Sequence, residues 1–129
     1  MKYCLTVSKH FKQLPKVYCH PGEINQVLLN LFLNAAHATK DKGVLDISTG
    51  IVKREGKGYL MIEISDHGVG MPQEIINKIF DPFFTTKPVG VGTGLGLSVS
   101  FGIIEKHQGK LEVTSKENEG TTFTIYLPY

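Results

Sequence analysis

This sequence contains two pairs of segments in which apolar and polar residues alternate. A short polar turn joins the two segments of each pair, and this pattern strongly restricts the fold. Apolar and polar residues alternate across residues 44–53 and 59–65, which flank a glycine-containing turn at 54–58. Residues 110–115 and 121–127 repeat this arrangement further along the chain. A period of two is typical of strands that have one covered face. The sequence therefore predicts two β-hairpins, and something must cover one face of each.

Helical segments precede and separate the predicted hairpins. Apolar residues recur every three or four positions over residues 23–39, a spacing typical of an amphipathic helix. A shorter helix is predicted over residues 72–80 with a proline in its opening turn, and a third over residues 95–107 with Gly109 at its C-cap. Residues 17–19 are predicted to form a short strand.

The order of these elements restricts the fold class. Helix, two strands, helix, glycine-rich loop, helix and two strands is not an alternating βαβ pattern, which disfavours a doubly wound parallel sheet. We expect an α+β fold. It would be a two-layer α/β sandwich, with a mixed but mainly antiparallel sheet of about five strands covered on one face by three helices.

Composition agrees with one ordinary domain and excludes several functional classes. The 129 residues are 41% hydrophobic, enough for one core, so residues 1–129 are expected to form a single domain. A net charge of +2 without a basic cluster argues against nucleic acid as a partner. No segment resembles a signal peptide or a membrane span. A cytoplasmic location without membrane contact is expected, and membrane anchoring of a longer parent protein stays open.

A glycine-rich stretch at residues 90–98 leads directly into the third predicted helix. Gly90, Gly92, Gly94 and Gly96 alternate with other residues just before an apolar run. The start of a helix presents unpaired N–H groups and the positive end of the helix dipole, which favour anions. This stretch is interpreted as a phosphate-binding loop, with a flexible linker as the alternative.

Two further polar features are candidate binding residues. Asn30 and Asn34 lie four positions apart, so their amides share one face of the first helix. Asp66 ends an apolar strand and precedes Gly68 and Gly70, which permit close approach of a ligand to the backbone. A solvated helix face and a turn-capping carboxylate are the structural alternatives for these residues.

Several familiar motifs are missing from the sequence. No lysine follows the glycines as a P-loop requires, and their spacing does not fit the dinucleotide-binding fingerprint. The five histidines and two cysteines have no spacing suited to a metal cluster, and no serine or cysteine occupies a nucleophile elbow. Hydrolysis through a protein nucleophile therefore has no support.

Taken together, five motifs occur in the order and spacing of one family. The sequence resembles the catalytic, ATP-binding domain of bacterial two-component sensor histidine kinases, nearest to the nitrogen-regulation and dicarboxylate-sensing type. The resemblance covers residues 16–128 and implies the Bergerat fold shared with DNA gyrase and heat-shock ATPases. The motifs are Asn30-x-x-x-Asn34-Ala35, Asp66-x-Gly68-x-Gly70, Phe80-x-Pro82-Phe83, Gly92-Thr93-Gly94-Leu95-Gly96-Leu97-Ser98 and Gly120-Thr121-Thr122-Phe123.

The resemblance implies ATP and Mg²⁺ as cofactors and assigns roles at the nucleotide's two ends. Asn34 would ligate Mg²⁺ through its amide oxygen, and Asn30 would assist near the phosphates as the second catalytic residue. Asp66 would accept a hydrogen bond from the adenine amino group, with Thr121 supporting the base through a water. The nearby glycines, Gly68 and Gly70, would leave room for the ring.

The resemblance also implies a lid over residues 81–93 and a set of phosphate-binding residues. Lys87 would reach the γ-phosphate from the lid. His37 occupies a position where many relatives carry a phosphate-contacting lysine, and Ala38 replaces an aromatic residue near adenine. Phe80 and Phe83 are interpreted as hinge and docking residues. The remaining residues implied to bind phosphate are Gly92, Thr93, Gly94, Leu95, Gly96 and Leu97.

The expected reaction is transfer of the ATP γ-phosphate to a histidine outside this chain. None of the five histidines is followed by an acidic residue, as the family's phosphoacceptor usually is. The expected partners are therefore the protein's own dimerisation and phosphoacceptor domain and, through it, a response regulator. The isolated domain is expected to be monomeric. Two alternatives stay open: an ATPase of the gyrase type and a nucleotide-binding regulator without transfer activity.

Overall fold

The computed structural model describes residues 5–10, 19–38, 43–82, 84 and 96–129. Its elements in chain order are β1 (Leu5–His10), α1 (Pro21–Ala38), β2 (Gly43–Arg54), β3 (Lys57–Asp66), α2 (Gln73–Ile76), α3 (Gly96–Lys106), β4 (Lys110–Lys116) and β5 (Gly120–Pro128). The predicted strand at residues 17–19 lies outside these residues except for Cys19, which is in a bend.

The strands of the described residues form one five-stranded sheet in the order β1-β2-β3-β5-β4. Only β1 and β2 run parallel; the other neighbouring pairs are antiparallel. The predicted α+β sandwich with a mainly antiparallel sheet and three helices is confirmed. The sequence pattern missed β1, whose register with β2 pairs Leu5 with Gly43 across a helix. A parallel edge strand is not joined to its partner by a short hairpin turn, so the adjacent sequence gives no sign of the pairing.

One face of the sheet carries the core. Val27, Leu31 and Ala35 of α1, spaced four residues apart, are buried together with Ile103 and Ile104 of α3. They pack against apolar side chains from four strands, which repeat every second residue and so project to the same side. The buried strand residues are Leu45, Ile47, Leu60, Ile64, Leu111, Phe123, Ile125 and Leu127.

Helix boundaries differ from the predicted ones for local reasons. α1 begins at Pro21, two residues early, because proline fits the first helical turn, where its missing N–H has no partner to lose. α2 ends at Ile76, and turns continue the chain to Phe80. No helix among the described residues is both long and apolar enough to cross a membrane.

The end of α3 corrects the expectation for Gly109. The left-handed residue is Gln108, with φ of 60°, and the Gly109 N–H donates to the carbonyl oxygen of Ile104 over 2.9 Å. This is a Schellman-type cap in which Gly109 follows the left-handed position. A Cβ on Gly109 would lie 2.1 Å from the Tyr126 carbonyl oxygen. This glycine is therefore required by contact with β5, not by its own φ.

Thr49 provides a test of the core. It lies between Ile47 and Ile51 on the helix-facing side of β2, and its buried hydroxyl has no hydrogen-bond partner within the described residues. Thr49→Val replaces this hydroxyl by a methyl group of the same shape. We expect it to raise the free energy of unfolding, measured in urea, by about 1 kcal/mol. Thr124→Val on the opposite face is the control. An equal or lower stability for Thr49→Val would contradict the expectation.

Candidate functional site

The central feature of the site is a buried carboxylate where β3 ends. Asp66 is only 5% exposed and lies directly opposite Thr121, the second residue of β5, which is also buried. Its Oδ1 accepts hydrogen bonds from the N–H groups of Gly68 at 2.9 Å and Thr121 at 3.3 Å. The turn after β3 and the start of β5 thus hold this carboxylate by one oxygen atom.

A serine from the edge strand extends this polar cluster. Ser115 on β4 pairs with Thr121 in the sheet register, and their hydroxyl oxygens are 2.8 Å apart. The Ser115 hydroxyl also donates to the carbonyl oxygen of Gly120 at 2.9 Å and accepts from the N–H of Met71 at 2.9 Å. Residues from two strands, β4 and β5, and from the loop after β3 therefore meet around one hydroxyl group.

A cavity of about 320 Å³ opens beside these groups. Its polar lining comes from the ends of β3 and β4 and the start of β5, and its volume lies at the lower end of the range for small-ligand sites. Residues that line it include Asp66, His67, Ser115, Glu119, Gly120 and Thr121.

Two glycines allow the backbone segments around the cavity to approach one another. Gly120 has φ of +122°, and a Cβ there would lie 2.1 Å from the carbonyl oxygen of Asp66. Gly70 has φ of +66°, and its Cβ would lie 1.9 Å from the carbonyl oxygen of Lys116. Both glycines are therefore needed to seat the Asp66 turn against the β4–β5 hairpin. For Gly70 this is a structural reason independent of any ligand.

Burial dominates the electrostatics of Asp66. Desolvation raises the pKa of its carboxyl group, and the N–H donors of Gly68 and Thr121 and the nearby His67 offset this only in part. The folded protein therefore binds the proton more tightly than the unfolded chain does. Between the ordinary and the raised pKa, stability falls as pH rises, because the charged carboxylate is more costly in the folded state.

This sign leads to a pH prediction for Asp66→Asn, which keeps an amide oxygen for both N–H donors and removes the charge. We expect the variant's gain in unfolding free energy over the parent protein to grow as pH rises through the raised pKa and then to level off. Urea titrations at a series of pH values measure this gain. A gain that does not vary with pH would contradict the assignment of the buried charge.

Asn30 lies where α1 meets α3. The Asn30 side-chain amide donates to the Gly96 carbonyl oxygen and to the Ser100 hydroxyl oxygen, each at 3.2 Å, and the Ser100 hydroxyl donates back to Gly96 at 2.8 Å. The first turn of α3 is thereby attached to the middle of α1. Asn34 lies one turn further along α1 and is half-buried. Within the described part of the chain, its side chain makes no hydrogen bond to another residue.

The described contacts bring the predicted site residues together in two groups. Asn30 joins Gly96 at α3, next to Leu97, whose side chain packs against the core. Asp66, Gly68, Gly70 and Thr121 meet at the strand ends. Phe80, interpreted as a docking residue, stacks on Phe101 of α3 with ring centroids 5.0 Å apart. Outside the described residues lie Phe83, Lys87, Gly92, Thr93, Gly94, Leu95 and the His37 and Ala38 side chains.

Sequence reasoning did not select two residues of the strand-end cluster. Gly120 opens the Gly120-Thr121-Thr122-Phe123 motif, so its signal was present. Ser115 lies on the same face of β4 as Leu111 and Val113 and differs from them only in being polar. One polar residue at such a position is a weak signal. Among the described residues, no group of three or more His, Cys, Asp or Glu side chains is arranged to hold a metal ion.

Comparison with known proteins decides the family. A model described as "Histidine kinase-, DNA gyrase B-, and HSP90-like ATPase" matches residues 19–129. The solved catalytic domain of the histidine kinase ThkA, in a nucleotide-free form, is 34% identical with a TM-score of 0.81. The match covers 97% of this chain and 79% of that one. The chain belongs to this ATPase family. As a histidine kinase-type ATPase domain it is a nucleotide-binding module, and the resemblance of its sequence to the ATP-binding domain of sensor histidine kinases is confirmed.

Full-length relatives of this ATPase domain are kinases. Sporulation kinase E of Bacillus subtilis (strain 168) is 39% identical over 115 residues, and the sensor histidine kinase ZraS of Escherichia coli (strain K12) is 42% identical over 115 residues. Each match covers 89% of this chain but only 15% and 23% of the respective relative. The ATPase domain therefore corresponds to a small part of each of these proteins.

Proposed function

We propose that this chain binds ATP with Mg²⁺ and transfers the γ-phosphate to a histidine on a separate dimerisation domain. The observation that carries the proposal is the buried Asp66 carboxylate, of which one oxygen is held by two N–H groups. Its other oxygen, Oδ2, is assigned to accept a hydrogen bond from the amino group of adenine. Such a buried acceptor penalises a base that lacks the matching donor.

At the other end of the nucleotide, α1 and α3 would meet the triphosphate. We assign the N–H groups of Gly96 and Leu97, at the start of α3, to the phosphates. The phosphate-binding segment would also include the residues just before α3, which are Gly92, Thr93, Gly94 and Leu95. Lys87 would reach the γ-phosphate, and His37 would add positive charge when it is protonated. Thr121 would contact the base through a water, beside Gly68 and Gly70.

The side chains of α1 fit a magnesium ion that is bound mainly by phosphates. Asn34 offers a carboxamide oxygen, a hard ligand, and Mg²⁺ usually takes one or two protein oxygens and completes its shell with phosphate and water. When bound, the ion neutralises phosphate charge. Asn30 cannot act as a general base, because an amide does not accept a proton at neutral pH. This favours transfer to a histidine over the activation of water that a gyrase-type ATPase requires.

The partners follow from the kinds of proteins that this domain resembles. We propose that its phosphoacceptor is a dimerising helical hairpin of the same protein, which then supplies a response regulator. The relatives named sensor kinases support this assignment. Because the reaction consumes ATP, we place it in the cytoplasm.

A transfer assay tests the proposal. The chain is mixed with Mg²⁺, ATP labelled in its γ-phosphate and a dimerisation hairpin from a histidine kinase relative. We expect acid-labile phosphate on the hairpin histidine, and none on this chain when it is alone. Asn34→Ala should abolish the transfer, whereas Asn25→Ala, an exposed asparagine on the same helix, should not.

The two alternatives give different results in the same assay. Steady release of phosphate without the hairpin would indicate a gyrase-type ATPase. Bound ATP with neither release nor transfer would indicate a regulatory module, and either result would overturn the proposed kinase activity.

A further inference from the structure

The Ser115 hydroxyl has three polar neighbours, and their chemistry fixes the position of its proton. The Met71 N–H can only donate, and the Gly120 carbonyl oxygen can only accept. The single Ser115 proton therefore goes to Gly120, and one of its lone pairs accepts from Met71. The remaining neighbour, the Thr121 hydroxyl at 2.8 Å, can bond to Ser115 only by donating its own proton.

This arrangement leaves the Thr121 hydroxyl oxygen with acceptor capacity only. Its proton is held in the hydrogen bond to Ser115, and Thr121, Ser115 and Asp66 all line that cavity. When Asp66 is ionised, it also contributes only acceptor oxygens, because a carboxylate has no proton to donate. A ligand atom that meets these two groups directly, or through one water that donates a proton to each of them, must therefore face hydrogen-bond acceptors.

We propose that Ser115 is a positioning residue that holds the Thr121 proton in a hydrogen bond to its own oxygen, so that the Asp66–Thr121 edge accepts an amino group and disfavours a carbonyl oxygen. The inference rests on the proposed function and adds a specificity determinant to it. The Gly120 carbonyl oxygen orients the Ser115 hydroxyl, and the Ser115 hydroxyl in turn orients the Thr121 hydroxyl that faces the ligand. Ser115 itself need not touch the base.

Competing nucleotides test this inference. Inosine triphosphate carries a carbonyl oxygen where ATP carries its amino group. Calorimetric titration of each, with Mg²⁺, gives the ratio of the two dissociation constants. In Ser115→Ala the Thr121 proton is no longer held by Ser115, so Thr121 can donate to the carbonyl oxygen or to the water that bridges to it. We expect the preference for ATP to fall by about threefold to tenfold, the effect of one hydrogen bond.

Three variants separate positioning from a general structural effect. Ser115→Thr keeps the hydroxyl and should keep the ratio. Ser48→Ala removes a serine from the opposite face of the sheet and should leave the ratio unchanged. Thr121→Val replaces the oriented hydroxyl by a methyl group in a side chain of the same shape. It should lower the preference for ATP over inosine triphosphate even where Ser115→Ala does not fold.

The outcomes are distinguishable. A folded Ser115→Ala that loses affinity for both nucleotides in parallel, with the ratio unchanged, would overturn the positioning role and leave the proposed function intact. A Thr121→Val variant with an unchanged ratio of the two dissociation constants would also overturn the positioning role of Ser115. If the parent protein bound neither nucleotide, the proposed function would fail, and this inference with it.

Discussion

Asp66→Asn is expected to destroy ATP binding while making the nucleotide-free protein more stable at pH 7. The amide oxygen can still accept from the Gly68 and Thr121 N–H groups, so the turn is retained. The amide nitrogen, however, replaces Oδ2 and presents a donor to the amino group of adenine. We expect the dissociation constant to rise at least about hundredfold, because two donors then face each other in a buried site.

Calorimetry with Mg²⁺-ATP measures the loss of affinity, and urea unfolding without nucleotide measures the gain in stability. Asp46→Asn is the matched control, because Asp46 lies on the neighbouring strand and its side chain is 39% exposed, with Oδ2 3.1 Å from Nε2 of His67. Exposed pairs of this kind contribute little. If Asp66→Asn bound ATP as tightly as the parent protein, Asp66 would have no part in recognising the base.

Gly120→Ala is expected to cause the second large effect, on folding. The added Cβ would lie 2.1 Å from the Asp66 carbonyl oxygen, and φ of +122° is itself unfavourable for alanine. Because the obstruction is backbone, no side chain can move aside to relieve it. We expect the free energy of unfolding to fall by about 3 kcal/mol or more.

Gly102→Ala provides the opposite control within the same protein. Gly102 lies in α3, and no atom outside the helix's own backbone comes within 4 Å of the position that a Cβ would occupy, so alanine adds helix propensity without a clash. We expect this variant to be more stable by up to about 1 kcal/mol. Equal urea midpoints for Gly102→Ala and Gly120→Ala would refute the close approach between β5 and the Asp66 turn.

Regular patterns made much of this fold predictable. The three- and four-residue spacing of Ile24, Val27, Leu31 and Ala35 indicated α1, and alternation indicated the four strands of the two hairpins. β1 was missed because it offers only two apolar residues and finds its partner beyond α1. Such non-local pairing leaves little trace in the adjacent sequence.

The site was predictable only where residue type and motif spacing coincide. Asp66 and Thr121 were selected because they belong to motifs, and the structure places them side by side. Ser115 was not selected, since a single serine in a strand is usually solvated. The left-handed φ of Gln108 also escaped prediction, because a glycine stands next to it and offers the more obvious cap. In both cases a tertiary contact, not local preference, decides the role.

The pairing of β3 with β5 has a consequence for how the site forms. Asp66 and Thr121 are 55 residues apart in the chain, so their contact closes a long loop whose entropy must be overcome before the pairing is favourable. In the proposed site, a chain that has formed only its local hairpins would have no acceptor pair for the base. Nucleotide binding would then report completed folding, and ATP would shift the folding equilibrium by stabilising only chains in which this distant pairing is already made.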